Sequence, residues 1–435
     1  MRNVQPPRSA LTRRGFLARA AGIAVAPQIV TFPLLGAAAP SNRIAVGMIG
    51  VGSRGRQHII ELFRNHKERA RVVAVCDVNR ANCDEATKML AEMYKEDSCA
   101  THEDYGELLA RDDIEAVIIA VPDHWHALTA VAAAQAGKPL YSEKPLAYTV
   151  AEGQAMVEAV KRFGVAFQHG TQQRSGRDFR FACELARNGR LGRVHTVHVG
   201  APFGKQGGST ETAPVPDGLN YEFWLGPSPQ VPYTPGRCDG RGGEGWYHIR
   251  DYSGGWVTAW GSHDYDIAQW GLGTDDTGPV TVEGEGEFAT DGAYDTAWRW
   301  RVACAYADGR KIIFASKDVN PHGVKFEGDD GWVFVNRWTL EAEPESLLKE
   351  QFGPEETHLP VSDNHMGNFL DAVRGTATCI APVEAAHRST TACHLCNIAI
   401  ALRRGLRWDP TEERFVDDDE ANRLLSRPMR PPWRL

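Results

Sequence analysis

Three glycines with the spacing of a phosphate-binding turn, Gly50, Gly52 and Gly55, follow a short apolar run and precede a helix-like pattern. Gly50 permits the tight turn, Gly52 lets the backbone approach a pyrophosphate, and Gly55 lets the helix pack closely on the strand. The first turn of that helix, with Ser53 and Arg54, offers free N–H groups and a partial positive charge to phosphate oxygens. The stretch is therefore predicted to bind a dinucleotide.

An acidic residue ends the next strand candidate. Asp77 lies 25 residues after Gly52, a position from which a carboxylate accepts hydrogen bonds from both ribose hydroxyls of the adenosine half. Its charge repels a 2′-phosphate, so NAD is the predicted cofactor. Arg80 follows closely in the sequence and leaves NADP as the alternative.

Strand and helix patterns alternate around these residues. The alternation predicts right-handed βαβ units and a doubly wound parallel sheet, which is an α/β fold. The strand candidates are residues 44–49, 72–76, 115–121, 140–141 and 165–168. The helix candidates are residues 56–65, 80–94, 126–136 and 149–163.

The bulk properties exclude some classes of function. A chain of 435 residues, 42% hydrophobic and 24% charged, is long enough for two or three domains. Its net charge of −8 and the lack of a basic block beyond the N-terminus give no reason to expect nucleic acid. No apolar run reaches the length of a membrane span. The nine cysteines are odd in number and scattered, unlike a disulfide framework.

Two short motifs resemble incomplete metal sites. His124 and His126 flank Trp125 with no third ligand apparent, so no metal is predicted there. Cys393 and Cys396 form a CxxC inside a predicted amphipathic helix, where both sulfurs are expected to pack as small apolar groups. Metal or redox use is the alternative for this pair.

The N-terminus has the layout of an export signal. Arg13 and Arg14 precede an apolar stretch that ends in small residues, with cleavage expected after Ala39. Residues 1–39 are therefore predicted to be a twin-arginine signal, with the Tat translocase as partner and the periplasm as destination. A disordered basic tail is the alternative.

The chain from about residue 42 onward resembles the Gfo/Idh/MocA family of glucose–fructose oxidoreductase and inositol dehydrogenase, in a secreted bacterial branch. The resemblance rests on the glycine turn, Asp77, a Val-Pro-x-x-x-His stretch (Val121, Pro122, His126), "AGKPLYSEKPLA" and "GGWVTAWGSHDYDIAQW". It implies a Rossmann domain over 42–167 and an α+β domain over 168–408 with an open, mostly antiparallel sheet. A tail over 409–435 and a homo-oligomer are also expected.

Local patterns in the second half agree with such a sheet. Residues 194–199, 281–288, 298–306 and 311–316 alternate partly between apolar and polar side chains. Residues 324–335 read as a hairpin that turns at Gly328–Gly331.

The resemblance assigns the lysine of the Glu-Lys-Pro motif, Lys144, to the nicotinamide and the reacting substrate oxygen. An ammonium beside a carbinol favours the developing alkoxide. Glu143, Pro122 and His126 are expected to contact the cofactor. A surface lysine before a turn proline is the alternative for Lys144.

His263 matches the catalytic histidine of the family. With an ordinary pKa near ~6.5 it can take the hydroxyl proton and return it; a packed structural histidine is the alternative. The family often places an aspartate four residues earlier, where this chain has Ala259. Asp266, one helical turn after His263, is predicted to replace that aspartate as the orienting carboxylate.

Substrate contacts are expected from two further stretches. Gln172 and Arg174 follow the last Rossmann strand and offer polar groups suited to hydroxyls, although plain surface roles are equally compatible. Trp246 and Tyr247 offer an aromatic face to a sugar ring, or form a structural cluster.

These residues lead to a first hypothesis, an NAD(P)-dependent oxidoreductase that moves a hydride between a carbohydrate or polyol and a tightly held nicotinamide cofactor. A second hypothesis is an NAD-using enzyme that cleaves glycosides through transient oxidation and elimination. That reaction needs a second base, which the sequence does not assign. A third hypothesis, encouraged by Ala259, is a non-catalytic sugar-binding relative.

Overall fold

The computed structural model describes residues 42–96 and 99–435. The predicted twin-arginine signal, residues 1–39, lies outside the described residues.

The first part of the chain forms a six-stranded parallel sheet with the order β3-β2-β1-β4-β5-β6. Its strands are β1 (Ile44–Ile49), β2 (Ala70–Cys76), β3 (Ala100–His102), β4 (Ala116–Ile119), β5 (Leu140–Ser142) and β6 (Phe167–His169). Its helices are α1 (Ser53–His66), α2 (Arg80–Tyr94), α3 (Tyr105–Leu109), α4 (His126–Gln135) and α5 (Val150–Phe163). The predicted doubly wound α/β fold is confirmed.

A nine-stranded, mostly antiparallel sheet follows, with the order β13-β12-β11-β7-β10-β9-β8-β14-β15. Its strands are β7 (Val194–Ala201), β8 (Thr281–Phe288), β9 (Ala297–Ala305), β10 (Lys311–Ser316), β11 (Gly323–Gly328), β12 (Gly331–Val335), β13 (Leu340–Glu343), β14 (Leu406–Asp409) and β15 (Arg414–Phe415). Strands β7 and β10 pair in parallel, whereas their other neighbours run antiparallel.

Six α-helices lie in the second part of the chain. They are α6 (Arg177–Arg187), α7 (Tyr221–Leu225), α8 (Gly255–Leu272), α9 (His365–Val373), α10 (Val383–Leu402) and α11 (Asp419–Arg423). Helices α6, α8 and α10 pack against the sheet and share its core, which contains Tyr265, Phe314 and Phe326. The helix predicted around Cys393 and Cys396 is confirmed as α10, but it is buried on nearly all sides instead of being amphipathic.

Helix α9 belongs to the second half of the sequence but completes the core of the first sheet. Its Met366, Phe369 and Leu370 are buried with Ile44 and Tyr141. The N-terminal end of α10 packs into the opposite layer of the same sheet. The two parts of the chain are therefore joined through a shared hydrophobic core.

The segment 409–435, predicted as a tail, forms β15 and α11 and then crosses to the first part of the chain. Trp433 lies against Trp125 with ring centroids 4.7 Å apart and stacks on Phe223 at 5.3 Å. Within the described residues, no helix has the length and apolar character needed to cross a membrane.

Candidate active site

A cavity of about 840 Å³ opens at the carboxyl ends of the parallel strands β1, β2, β4 and β5. Loops after these strands are the usual ligand position in open α/β sheets. The cavity extends to α8 and to the turn after β12, which contribute His263 and Arg337. It therefore brings most of the predicted cofactor and substrate residues into one continuous space.

The glycine turn at the first end of the cavity has the shape that a pyrophosphate requires. Gly50 has φ +85, and a Cβ on Gly55 would lie 2.1 Å from the Gly50 carbonyl oxygen, so neither position accepts a side chain. Around Gly52 the nearest atom to such a Cβ is Asn82 Nδ2 at 4.0 Å. Helix α1 begins at Ser53 without a side-chain cap. The turn therefore fits a dinucleotide, with Gly52, Ser53 and Arg54 in the cavity wall.

Asp77 lines the same end of the cavity and also holds the turn. Its Oδ2 accepts hydrogen bonds from Val51 N at 2.9 Å and Asn82 Nδ2 at 3.2 Å, and its Oδ1 accepts from Asn79 N at 2.9 Å. Burial raises the pKa of this carboxyl, and the hydrogen bonds from Asn79 and Val51 oppose that shift. The ribose contact of Asp77 stays a prediction.

Two residues predicted to contact the cofactor lie outside the cavity wall. The Arg80 side chain is 82% exposed, and its Nε lies 3.9 Å from Asp84, so its role with NADP as the alternative cofactor stays a prediction. The ring nitrogens of His126 lie 2.6 Å from the Pro145 carbonyl and 2.9 Å from the Val121 carbonyl. His126 therefore holds two loops together, and Pro122 lines the cavity in its place.

Glu143 is the centre of a buried polar cluster behind the cofactor end. Its Oε1 accepts hydrogen bonds from Arg54 Nε at 2.7 Å and His58 Nε2 at 2.8 Å. Burial opposes ionisation, but Arg54 and His58 hold the pKa of the carboxyl well below its usual range. Gln172, predicted to bind substrate, donates to Tyr141 Oη at 2.7 Å while lining the cavity. The cluster fixes the wall from which Lys144 extends.

Lys144 occupies the middle of the cavity wall, and a cis peptide joins it to Pro145. Its Nζ lies 5.5 Å from the ring centroid of Tyr247. Burial lowers the pKa of the ammonium, and the charges of Glu143 and Asp123 partly oppose this shift. Asp123 is almost fully buried, which raises the pKa of its carboxyl to about 6.

His263 faces Lys144 from α8. Burial, followed by the charges of Lys144 and Arg337, lowers the pKa of the imidazole well below its ordinary value. Its Nδ1 lies 3.4 Å from the hydroxyl of Thr171. The ring is consequently neutral near pH 7 and able to accept a proton. The side chain beside it is a hydroxyl and not a carboxylate.

The prediction that Asp266 orients His263 is wrong. Both oxygens of Asp266 accept from Arg174, with Nε to Oδ2 at 2.7 Å and Nη2 to Oδ1 at 2.9 Å. Arg174 also donates to Asp275 and is only 3% exposed. Its expected contact with substrate is corrected for the same reason, because its guanidinium is used within the protein and does not line the cavity.

Aromatic rings form the far wall. Trp246 and Tyr247 stack with centroids 3.7 Å apart and line the cavity, as their predicted role requires. Trp256 and Trp260, not predicted as site residues, share a face of α8 with His263 and line the cavity as well. Trp256, Trp260 and His263 are four and then three residues apart in the sequence. On a helix this spacing places the three side chains on one face, so it could have identified the two tryptophans.

Three further residues at or beside the site were not predicted from the sequence. Thr171 approaches His263 only through the fold, and Arg337 comes from the turn between β12 and β13. Asp123 was overlooked although it follows Pro122 directly. In the part of the chain that the structure describes, no group of three His, Cys, Asp or Glu side chains is placed to hold a metal ion.

Comparisons with known proteins match both parts of the chain. Residues 44–171 match the model described as "Oxidoreductase family, NAD-binding Rossmann fold". Residues 202–435 match "Oxidoreductase family, C-terminal alpha/beta domain". Together these matches cover most of the described chain.

Curated relatives match over a shorter stretch. A glycosyl hydrolase family 109 protein of Shewanella sp. (strain W3-18-1) is 33% identical over 165 residues, which is 37% of this chain and 36% of that protein. An alpha-N-acetylgalactosaminidase of Shewanella oneidensis is 32% identical over the same number of residues and the same shares. The chain thus spans about a third of the length of the curated relatives it matches.

Solved structures share the fold at low sequence identity. The WlbA dehydrogenase from Bordetella pertussis, in complex with NADH and UDP-GlcNAcA, has a TM-score of 0.63 and 19% identity, covering 84% of this chain and 99% of its own. The aldose-aldose oxidoreductase from Caulobacter crescentus has a TM-score of 0.61, with the same identity and coverage. Given these matches and the cavity geometry, the chain belongs to the Gfo/Idh/MocA oxidoreductase family, and its Rossmann domain binds NAD.

Proposed function

We propose that this protein oxidises and reduces a CH–OH group of a sugar or polyol, with NAD held in the cavity. The observation that carries the proposal is the position of Lys144 and His263, which face one cavity together with the glycine turn. A cation and a neutral base on opposite sides of a hydroxyl are what its oxidation needs.

Each residue then has a defined task. His263, neutral because burial, Lys144 and Arg337 depress its pKa, takes the hydroxyl proton. Lys144 stabilises the negative charge that develops on the substrate oxygen. Bound NAD supplies the hydride acceptor at nicotinamide C4. Trp246, Tyr247 and the tryptophans of α8 line the same cavity and would shield the reacting hydroxyl from water.

The test begins with the protein purified without added cofactor. Denaturation should release NAD or NADH in near-stoichiometric amounts, and a panel of sugars and polyols should change the ratio of the two forms. A protein that carries no dinucleotide, and whose melting temperature NAD and NADP leave unchanged, would refute the proposal.

A second candidate function is glycoside cleavage through transient oxidation, favoured by the names of the curated relatives. This reaction returns the hydride, so it gives no net NADH. Tyr247 lines the cavity beside Lys144, and burial raises the pKa of its phenol. Such a phenol keeps its proton and can donate it to a leaving oxygen. Release of aglycone from a glycoside without NADH accumulation would favour this candidate; NADH accumulation without release favours the first.

We also propose that residues 1–39 direct the protein through the twin-arginine route to the periplasm and that it assembles as a homo-oligomer. Replacement of Arg13 and Arg14 by lysine should keep the protein in the cytoplasm when cell fractions are compared. Light scattering of the purified protein should give a mass above the 47.9 kDa of one chain.

A further inference from the structure

Arg337 is a cavity residue whose guanidinium has few partners. Its Nε donates to Gln173 Oε1 at 3.3 Å, and its Cζ lies 5.2 Å from the ring centroid of Trp260. Among residues 42–96 and 99–435, neither Nη atom has a hydrogen-bond partner and no carboxylate forms an ion pair with it. A planar fork of N–H donors is thus left facing the cavity.

Two carboxylates act on Arg337 through their charges without forming an ion pair with it. Asp264 accepts from Gln173 Nε2 at 2.9 Å and lies 3.3 Å from His322 Nε2. Glu143 is held by Arg54 and His58. Neither is placed to neutralise the guanidinium by direct contact.

Charges of both signs act on this end of the cavity: Lys144 and Arg337 are the cations, and Asp123 acts on Lys144. The charge of Arg337 acts on both Lys144 and His263 and, after burial, contributes to the lowered pKa of each. A guanidinium without an ion pair opposes the protonation of the nearby catalytic lysine unless a negative charge is bound beside it. The structure therefore carries a cost that an anionic ligand would remove.

The neighbouring wall suits a sugar ring. Trp260 lies beneath Arg337, and Trp256, Trp246 and Tyr247 continue the aromatic surface toward Lys144. Lys144, which lies 5.5 Å from the Tyr247 ring, and Arg337, which lies 5.2 Å from the Trp260 ring, line the same cavity as these aromatic side chains. The Arg337 contact is therefore separate from the reacting hydroxyl.

We infer that the substrate is an anionic sugar, a pyranoside bearing a carboxylate, and that Arg337 binds this carboxylate through its two Nη atoms. This inference rests on the proposed function, because it places the reacting hydroxyl between Lys144 and His263. Two parallel charge-assisted hydrogen bonds give arginine its preference for carboxylates.

The test measures binding by calorimetry to the NAD-loaded protein, so it does not depend on turnover. The probes are matched pairs of methyl hexosides and methyl hexuronides in the gluco, galacto and manno configurations, with the 6-sulfate and 6-phosphate esters of the same sugars. At least one hexuronide should bind about tenfold or more tightly than its neutral partner. Arg337→Gln should remove that difference while leaving the neutral sugar within about twofold.

Two variants serve as controls. Arg337→Lys keeps the charge but not the fork, and should retain only part of the preference. Arg299→Gln changes an arginine that pairs with Glu287 and Asp318 on the second sheet, outside the cavity wall, and should behave as the wild type.

Every outcome is decisive. Equal binding of neutral and anionic partners, binding of neither, or a preference that survives Arg337→Gln overturns the inference. Tighter binding of the sulfate or phosphate esters overturns the assignment to a carboxylate. Redox turnover of a neutral sugar alone leaves the proposed function standing without the inference, whereas hexuronide binding that needs Arg337 but gives neither redox change nor cleavage overturns the proposed function.

Discussion

The guanidinium of Arg174 lies edge-on to the carboxylate of Asp266, with two parallel hydrogen bonds of 2.7 and 2.9 Å between α8 and the turn before α6. Both side chains are at most 3% exposed. The pair ties the helix that carries His263 to the strand end that carries Thr171. The sequence predicted a substrate contact for Arg174 and a catalytic role for Asp266, whereas the two side chains form one buried ion pair.

Asp266→Asn should therefore act on stability. The substitution removes one of the two carboxylates that pair with the buried guanidinium, while Asp275 stays in place. The weakened charge-assisted hydrogen bonds should cost about 1.5–3 kcal/mol of unfolding free energy, measured by urea denaturation. Asp275→Asn is the matched control, because Asp275 bonds the same guanidinium but is 32% exposed and should cost less. An Asp266→Asn protein of wild-type stability with lost turnover would instead return Asp266 to the chemistry.

Lys144→Met should lower kcat/KM by about 10²–10³ because the developing negative charge loses its cation. NAD affinity, measured by fluorescence titration, should stay within a few-fold, since the glycine turn is unchanged.

His263→Gln should lower kcat/KM by about 10²–10⁴ through loss of proton transfer. Full activity of either variant would place the reaction elsewhere in the cavity.

Two glycine variants separate folding from cofactor binding. Gly55→Ala puts a Cβ against the Gly50 carbonyl and should lower both the melting temperature and NAD affinity. Gly52→Ala meets no atom closer than 4.0 Å, so the unliganded protein should melt as the wild type while NAD binding weakens. Normal NAD binding by Gly52→Ala would show that the pyrophosphate does not approach this turn.

Stability should fall in acid because several histidines are buried in the neutral form. Burial lowers the pKa of His394 to about 4, and its Nε2–H donates to the Ala147 carbonyl. The unfolded chain then binds more protons than the folded one below pH ~6.5, so the unfolding free energy falls as pH drops toward the folded pKa. For His394 alone the loss is about 3 kcal/mol at pH 4.

The check compares the pH dependence of urea unfolding in His394→Gln with that of His358→Gln. His358 is exposed, so its removal should leave the wild-type slope between pH 6.5 and 4. His394→Gln should flatten that slope, and equal slopes in the two variants would contradict the prediction.

Trp433→Ala should speed the loss of bound NAD. Trp433 stacks on Phe223 and meets Trp125, and both of these rings line the cofactor end of the cavity. Without it the wall loosens locally, so NAD dissociation, followed by dilution and fluorescence, should rise several-fold while the melting temperature without NAD changes little. An unchanged dissociation rate would show that Trp433 has no part in retaining NAD.

Much of the fold could be predicted from the sequence, because hydrophobic periodicity and turn residues are local patterns. β1, β8, β10 and α2 match their predicted ranges, and the hairpin of β11 and β12 turns where expected. The three-residue strand β3 carried too little pattern to be seen. Helix α9 shows no sign in its own sequence that it completes a core laid down some 300 residues earlier.

The site residues show the same difference between local sequence patterns and tertiary contacts. The glycine turn, Asp77, Lys144 and His263 stand in motifs whose chemistry is carried by adjacent residues, and all of them reach the cavity. Partner choice among distant charges is different, because it depends on which elements cross. Arg174 pairs with Asp266, and Arg337 lines the cavity, because of tertiary contacts. The spacing of residues along the sequence does not predict such contacts.

The insertion of α9 beside β1 has a consequence for synthesis. A nascent chain that has emerged only as far as β6 contains every strand of the first sheet, yet Ile44 and Tyr141 still lack the cover that Met366, Phe369 and Leu370 provide. A fragment cut after His169 would expose that apolar layer and tend to aggregate. The nucleotide-binding half therefore does not form a free-standing module, because α9, which completes its core, lies about 200 residues beyond its last strand.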